Sequence, residues 1–259
     1  MTKRLGALSP ALVVGFGGLL LWELVLGVLQ PRGFLLPAPS EIVGSLIDNQ
    51  AAIVTAVKST GFIVITGLLF GVIVGVLAAL AVSRFRIADE TITPLAVAVS
   101  AIPIIALAPI FNAWFGLTSP RSNQLVVLLL VFFPIFINTT RGLTDIDPDQ
   151  IDLMRSYGAS RWQIAKEVRI PNAMPFFFTA LKIAVALAVI AAIVSEYFGG
   201  RQNALGPLIV QNAGFARYAD AWAAVLAGSL IGLGLYALAS MLERFAMPWQ
   251  RAVNQGIDG

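Results

Sequence analysis

The chain of 259 residues contains no cysteine and no histidine. Those two absences exclude disulfides, thiol redox chemistry, thiolate or imidazole metal sites, histidine-based triads and imidazole proton relays. Charge is also scarce, with Asp, Glu, Lys and Arg making up 12% of residues, against about a quarter in soluble domains. A net charge of +3 is too small to argue for nucleic acid as a partner. None of Lys3, Lys58, Lys166 and Lys182 follows a glycine. The phosphate loop G-x-x-x-x-G-K-[ST] is therefore missing, and this chain is not expected to hydrolyse ATP or to be an enzyme.

What is present is apolar: 58% of residues are hydrophobic and the mean hydropathy is +0.85. A helix needs about 20 apolar residues to cross a bilayer core. By that ruler six spans are expected, at 11–29, 59–82, 91–115, 124–138, 176–194 and 221–242. They must be helices, because isolated strands in lipid leave backbone groups unpaired. The first run, preceded by Lys3 and Arg4, is longer than a signal-peptide core and reads as a membrane helix. With the N-terminus inside, twelve Lys and Arg fall on the cytoplasmic side and five on the other. This bias predicts that both termini are cytoplasmic. Residues 1–259 read as a single all-α transmembrane domain.

Between the first two spans, at 31–55, Pro37 and Pro39 extend the chain and Ser40 is placed to cap a short interfacial helix carrying Ile42, Val43, Leu46 and Ile47. The third span contains Pro103 and Pro109, which bend a helix, and the polar groups of Ser100 and Asn112. With Phe111, Trp114 and Phe115 as apolar walls it fits a pore-lining helix, and equally a kinked packing helix. Glu196, closing the fifth span, is a candidate for the outer end of the same path, while Glu23 fits a helix-packing hydrogen bond or a snorkelled interfacial carboxylate better than a binding or proton-relay role. Gly67, Gly71 and Gly75 recur every fourth residue and suggest close helix packing.

The one long polar stretch, 142–175, interrupts this apolar chain. Asp147 before Pro148 signals a helix start, and Gly158 suits a left-handed helix end. Ser160 with Gln163 three residues on signals a second start, and Pro171 is expected to stop that helix. The result is a helix–glycine–helix knuckle. Spacing alone fits an ordinary structured loop as well as a docking surface, although Tyr157, Trp162 and Ile164, expected to be exposed beside basic residues, favour docking.

The order Gly158, then nine residues, then Val168-Arg169-Ile170-Pro171 resembles the cytoplasmic signature of permease subunits of binding-protein-dependent ABC importers. That signature reads Glu-Ala-Ala, three residues, Gly, nine residues, Ile-x-Leu-Pro, and here Asp152-Leu153-Met154 stand in place of Glu-Ala-Ala. LLPAPSEI (35–42), IPIIALAPIFNAWFG (102–116), FFPIFINTTRGL (132–143) and SEYFGG (195–200) resemble the nitrate/sulfonate/taurine-type branch. The resemblance implies a type I importer permease fold in a bacterial inner membrane, working as a homodimer within the lipid. It implies two P-loop ATPase subunits, which bind ATP and Mg, on the cytoplasmic side, and a solute-binding protein outside. No cofactor is expected in this chain. It further implies coupling to the ATPase through Asp152, Met154, Arg155, Tyr157, Gly158, Ala159, Ser160, Arg161, Trp162, Gln163 and Pro171. The path would pass Ser100, Pro103, Pro109, Phe111, Asn112, Trp114, Phe115 and Glu196. The solutes of that branch are small organic anions or small aromatic, pyrimidine-like compounds. Composition alone leaves open an ATP-independent secondary transporter or channel.

Overall fold

The computed structural model describes the backbone of residues 2–29 and 36–248, and side chains at 13–28, 36–85 and 87–248. Among these residues every regular element is helical. In order they are α1 (Thr2–Leu29), α2 (Pro39–Asp48), α3 (Gln50–Val82), α4 (Arg86–Ser100), a 3-10 turn (Ile104–Leu107), α5 (Ala108–Phe115) and α6 (Pro120–Thr144). There follow α7 (Pro148–Ser156), α8 (Arg161–Ile164), a π turn (Ala165–Arg169), α9 (Ile170–Phe198), α10 (Leu205–Gly214) and α11 (Tyr218–Ala246).

Four helical runs are long and apolar enough to cross a membrane: α3, α6, the unbroken run Arg161–Phe198, and α11. The pair Ile87–Ser100 and Ile104–Phe115, bent by 73°, makes a fifth. The expected first span corresponds to α1, a helix of 28 residues whose side chains are described over the apolar stretch Val13–Val28. Among the described residues, length and composition give four spans, or five with the bent pair, beside the apolar stretch of α1. The start of the 31–55 segment, and Arg251 near the C-terminus, lie outside the described residues.

The expected glycine ladder joins α3 to α6. A Cβ at Gly67, Gly71 or Gly75 would lie 2.6 Å from Val127, 2.7 Å from Val131 and 2.8 Å from Ile135 respectively. No side chain fits there, so the backbones approach directly. The two series rise together, so α3 and α6 run parallel. α9 runs antiparallel to α6, since Gly142 meets Ala173 at one end and Asn123 donates to the Gly199 carbonyl at the other. α11 runs antiparallel to α9, held by Lys182 Nζ against Glu243 Oε2 at 2.5 Å and by Ile193 against Gly228. α6 and α9 form the centre, with 44% of their most apolar stretches buried, against 17% for α11.

These directions gather the C-terminal ends of α3, α6 and α11 with α7 and α8 at one end of the bundle. The opposite end holds α2, the end of α5 and α10. Four expectations change. The third span is two half-helices, because Pro103 sits in the break between Ser100 and Ile104, while Pro109 lies in the first turn of α5, where no donor is required. Pro171 does not stop the second knuckle helix. The Ile170 N–H instead reaches back five residues to the Ala165 carbonyl, and this π turn carries the helix through the proline. Ser40 is not the cap of α2. It is the second helical residue, and Ala38 occupies the cap position. Ile164, expected on a docking surface with Tyr157 and Trp162, is instead buried, because it lies on the inner side of α8.

Candidate functional site

The knuckle is built from local signals. Asp147 Oδ1 accepts from the Asp149 N–H at 3.0 Å and starts α7. Gly158, at φ +74°, closes it in the left-handed region that favours glycine. Ser160 and Gln163 form a reciprocal capping box: the Ser160 N–H donates to Gln163 Oε1 at 2.8 Å, and the Gln163 N–H donates to Ser160 Oγ at 3.3 Å. Arg155 Nη1 bonds Asp152 Oδ1 at 3.2 Å along the outer face of α7. No residue of α7 is buried. Tyr157 is 82% and Trp162 70% exposed, and Leu153 is exposed beside them, while Met154 and Ala159 are half-buried.

Behind this exposed face the knuckle is anchored. Ile164 is buried, and Asn172 Nδ2 donates to the carbonyls of Gly142 at 2.8 Å and Asp145 at 3.0 Å. Asn172 thereby satisfies the free C-terminal carbonyls of α6 from the start of α9. Sequence reading missed it; its only signal is an amide directly after Pro171.

The opposite end is organised in the reverse sense, with polar groups turned inward. Glu196 is 2% exposed, and its Oε2 accepts from the Gly206 N–H at 2.9 Å and from Thr60 Oγ1 at 3.1 Å. Thr60 Oγ1 in turn accepts from the Leu205 N–H at 2.9 Å. Together Glu196 of α9 and Thr60 of α3 cap α10, taking its first N–H groups. A Cβ at Gly206 would lie 2.5 Å from Glu196 Cβ, so only glycine brings that N–H close enough. Asn112, 3% exposed, donates to the Phe198 carbonyl at 3.2 Å, and Asn123 to that of Gly199 at 3.1 Å. Glu196 Oε1, Asn112 Oδ1 and Asn123 Oδ1 are buried with no hydrogen-bond partner among the described residues.

Of the residues expected along a path, Ser100, Pro103, Pro109, Trp114 and Phe115 are exposed on the bent pair, whereas Phe111, Asn112 and Glu196 are buried. Thr60, Asn123 and Gly206 belong to the Glu196 cluster and were not foreseen; a hydroxyl doublet, Ser59-Thr60, inside an apolar helix is their clearest sequence trace. Glu23 closes a cap of its own, accepting from the Ser40 N–H at 3.1 Å and Ser40 Oγ at 2.6 Å, and so ties α1 to α2. Asp220 ties α11 to α2 through side chains alone, accepting from Ser45 Oγ at 2.6 Å and Asn49 Nδ2 at 3.1 Å.

The described residues thus form a helical bundle, with four or five runs apolar and long enough to cross a membrane and an exposed knuckle at one end. The chain belongs to the family of binding-protein-dependent transport system inner membrane components, which matches residues 71–251. It is 34% identical to the formylaminopyrimidine transport permease protein ThiX of Halalkalibacterium halodurans, over 97% of this chain and 99% of that one. It is 35% identical to the riboflavin transport system permease protein RibX of Chloroflexus aurantiacus, over 65% of this chain and 62% of the relative. With the taurine transport system permease protein TauC of Escherichia coli the identity is 28%, over 90% of this chain and 78% of the relative. The crystal structure of an amino acid ABC transporter with histidines shares its fold, with a TM-score of 0.62 at 17% identity, over 77% of this chain and 96% of that one. The protein is thus a permease subunit of a binding-protein-dependent ABC importer, of the nitrate/sulfonate/taurine branch, with a type I permease fold. It is an inner membrane component and not itself an enzyme, the ATPase activity lying in partner subunits. Membership in this family removes the secondary transporter or channel that composition left open.

Proposed function

We propose that this permease, as a homodimer, carries a small solute delivered by an external binding protein, and that two ATPase subunits drive it through the knuckle. The observation that carries the reading is the knuckle itself. An exposed aromatic and basic face is held by caps on a rigid Gly158 turn, and its second helix runs without a break into α9. A push on α8 is then transmitted along α9 to α6 and, through Lys182–Glu243, to α11. ATP and Mg belong to the partner, and this chain needs no cofactor. The charge bias supports a cytoplasmic position for the knuckle end. The path runs along the exposed face of the bent pair, past Ser100, Trp114 and Phe115, with Phe111, Asn112 and Glu196 supporting it from behind.

The solute class is a small heteroaromatic or a small organic anion. Near full-length similarity to a permease named for formylaminopyrimidine, at a higher identity than to one named for taurine, favours the heteroaromatic. The coupling reading is tested by co-purifying the ATPase with wild type and with Gly158→Pro/Arg161→Glu. Loss of association is expected, and intact association with intact substrate-stimulated hydrolysis overturns the reading. The solute reading is tested by competition in proteoliposomes, where a formylaminopyrimidine should compete for uptake and taurine should not.

A further inference from the structure

Behind the knuckle, α7 and α8 stand off from the α3–α4 turn and leave two adjoining clefts of 920 and 700 Å3. Both are lined by Ser83, Arg84, Arg155 and Arg169. These arginines are unequally committed. Arg155 is paired with Asp152. Arg84 makes no ion pair among the described residues, and Arg169 donates only to the Leu143 carbonyl, at 3.4 Å. Each acid on the smaller cleft has a partner of its own: Asp89 accepts from Thr93 Oγ1 at 2.7 Å, Asp145 pairs with Arg141 at 3.6 Å, and Glu90 also has a partner.

The other half of the larger cleft is apolar, formed by Leu80, Leu143, Ile164 and Ile170. In and just after the α3–α4 turn, next to Arg84 in sequence, Phe85 and Ile87 are 62% and 81% exposed. Arg84 and Arg169, neither in an ion pair among the described residues, thus sit beside the C-terminal end of the apolar helix α3, with the apolar side chains of the larger cleft next to them. A soluble anion gains from the arginines and nothing from the apolar half. A molecule with a phosphate head and a hydrocarbon tail uses both, because guanidinium groups match phosphate oxygens bidentately and basic residues at a membrane surface attract anionic lipid.

We propose that this cleft binds the phosphate headgroup of an anionic phospholipid from the adjoining leaflet, with Arg84 and Arg169 as its ligands. The bound lipid fills the space between knuckle and bundle, and so sets how far α7 and α8 stand from α3. The inference requires only that this end lies at a membrane surface, and it stands whether or not the knuckle docks an ATPase.

The test uses the full-length chain, purified and examined by native mass spectrometry with phosphatidylglycerol or phosphatidylcholine added. Wild type should retain phosphatidylglycerol about tenfold more strongly. Arg84→Gln/Arg169→Gln should reduce that preference to about twofold or less, Arg84→Lys/Arg169→Lys should keep most of it, and Arg121→Gln/Arg201→Gln at the opposite end should leave it unchanged. If the paired glutamine variant fails to stay monodisperse, Arg84→Gln alone, at an exposed position, carries the test with an expected loss of about threefold. Equal retention of the two lipids by wild type overturns the proposal, as does full preference in the glutamine variants. Displacement of phosphatidylglycerol by excess inorganic phosphate also overturns it, by showing a site for a soluble anion.

Discussion

At the knuckle end of the bundle Tyr157 and Trp162 stand in the open, while at the far end Glu196, Asn112 and Asn123 are turned inward and bonded to backbone. The contrast lies in what completes each polar group. The knuckle satisfies its own backbone through the Asp147 cap, the Gly158 turn and the Ser160–Gln163 box, which leaves its side chains free for another molecule. The far end uses its side chains as the caps: Glu196 and Thr60 start α10, and Glu23 and Asp220 hold α2. A substitution at the far end should therefore act on folding, and one at the knuckle on association.

The largest effect is expected where backbones touch. Gly71→Val would drive a side chain into Val131 and the Leu128 carbonyl, both within 3 Å of the added Cβ. It should cost about 3 kcal/mol or abolish folding, as measured by equilibrium unfolding in detergent and by recovery of monodisperse protein. Next comes Glu196→Ala, which leaves the buried Gly206 N–H and the Thr60 hydroxyl without their shared acceptor. A loss of about 2–3 kcal/mol is expected in the same unfolding assay, together with faster hydrogen exchange at Leu205 and Gly206. Unchanged stability and exchange would mean that the far end is not latched by this carboxyl.

The two ends were also unequally legible in the sequence. Knuckle signals are local: Ser160 and Gln163 are three residues apart, and a glycine at a helix end calls for a left-handed residue, so the element could be read one window at a time. The glycine ladder was legible for the same reason, although its partner on α6 was not. The far-end cluster joins residues 136 apart, Thr60 and Glu196, and nothing in either neighbourhood announces the other. Lys182 and Glu243 are a second such pair. Proline was misread in both directions. Pro171 is carried by a π turn, while Pro103 sits in a break that bends its span by 73°, and nothing in either proline's immediate sequence tells the two outcomes apart.

Smaller in energy, yet specific to association, is Trp162→Ala. The side chain is largely exposed, so stability should change by about 0.5 kcal/mol or less. Affinity for the ATPase should fall by about 2 kcal/mol, or about 30-fold, if the indole is an anchor of that contact. Titration of the ATPase against the permease in nanodiscs measures it. A stability loss without an affinity loss would reverse the comparison and return the knuckle to a purely structural role.

The smallest effect tests whether the knuckle's order is its own. Ser160→Ala removes the acceptor of the Gln163 N–H and one half of the capping box, at a cost of about 1 kcal/mol confined to α8. Because Ile164 and the continuous helix into α9 still anchor the far side, global unfolding should be almost unmoved. Hydrogen exchange at Arg161–Ile164 should instead rise about fivefold, the rate equivalent of that local loss. Ser160→Asp should restore protection, since an aspartate caps as well as a serine and adds favourable charge at the helix start. If Ser160→Ala leaves exchange unchanged in the isolated permease, contacts other than the cap order this turn. The knuckle would then depend on the bundle as the far end does, and the distinction between the two ends would narrow to side-chain exposure alone.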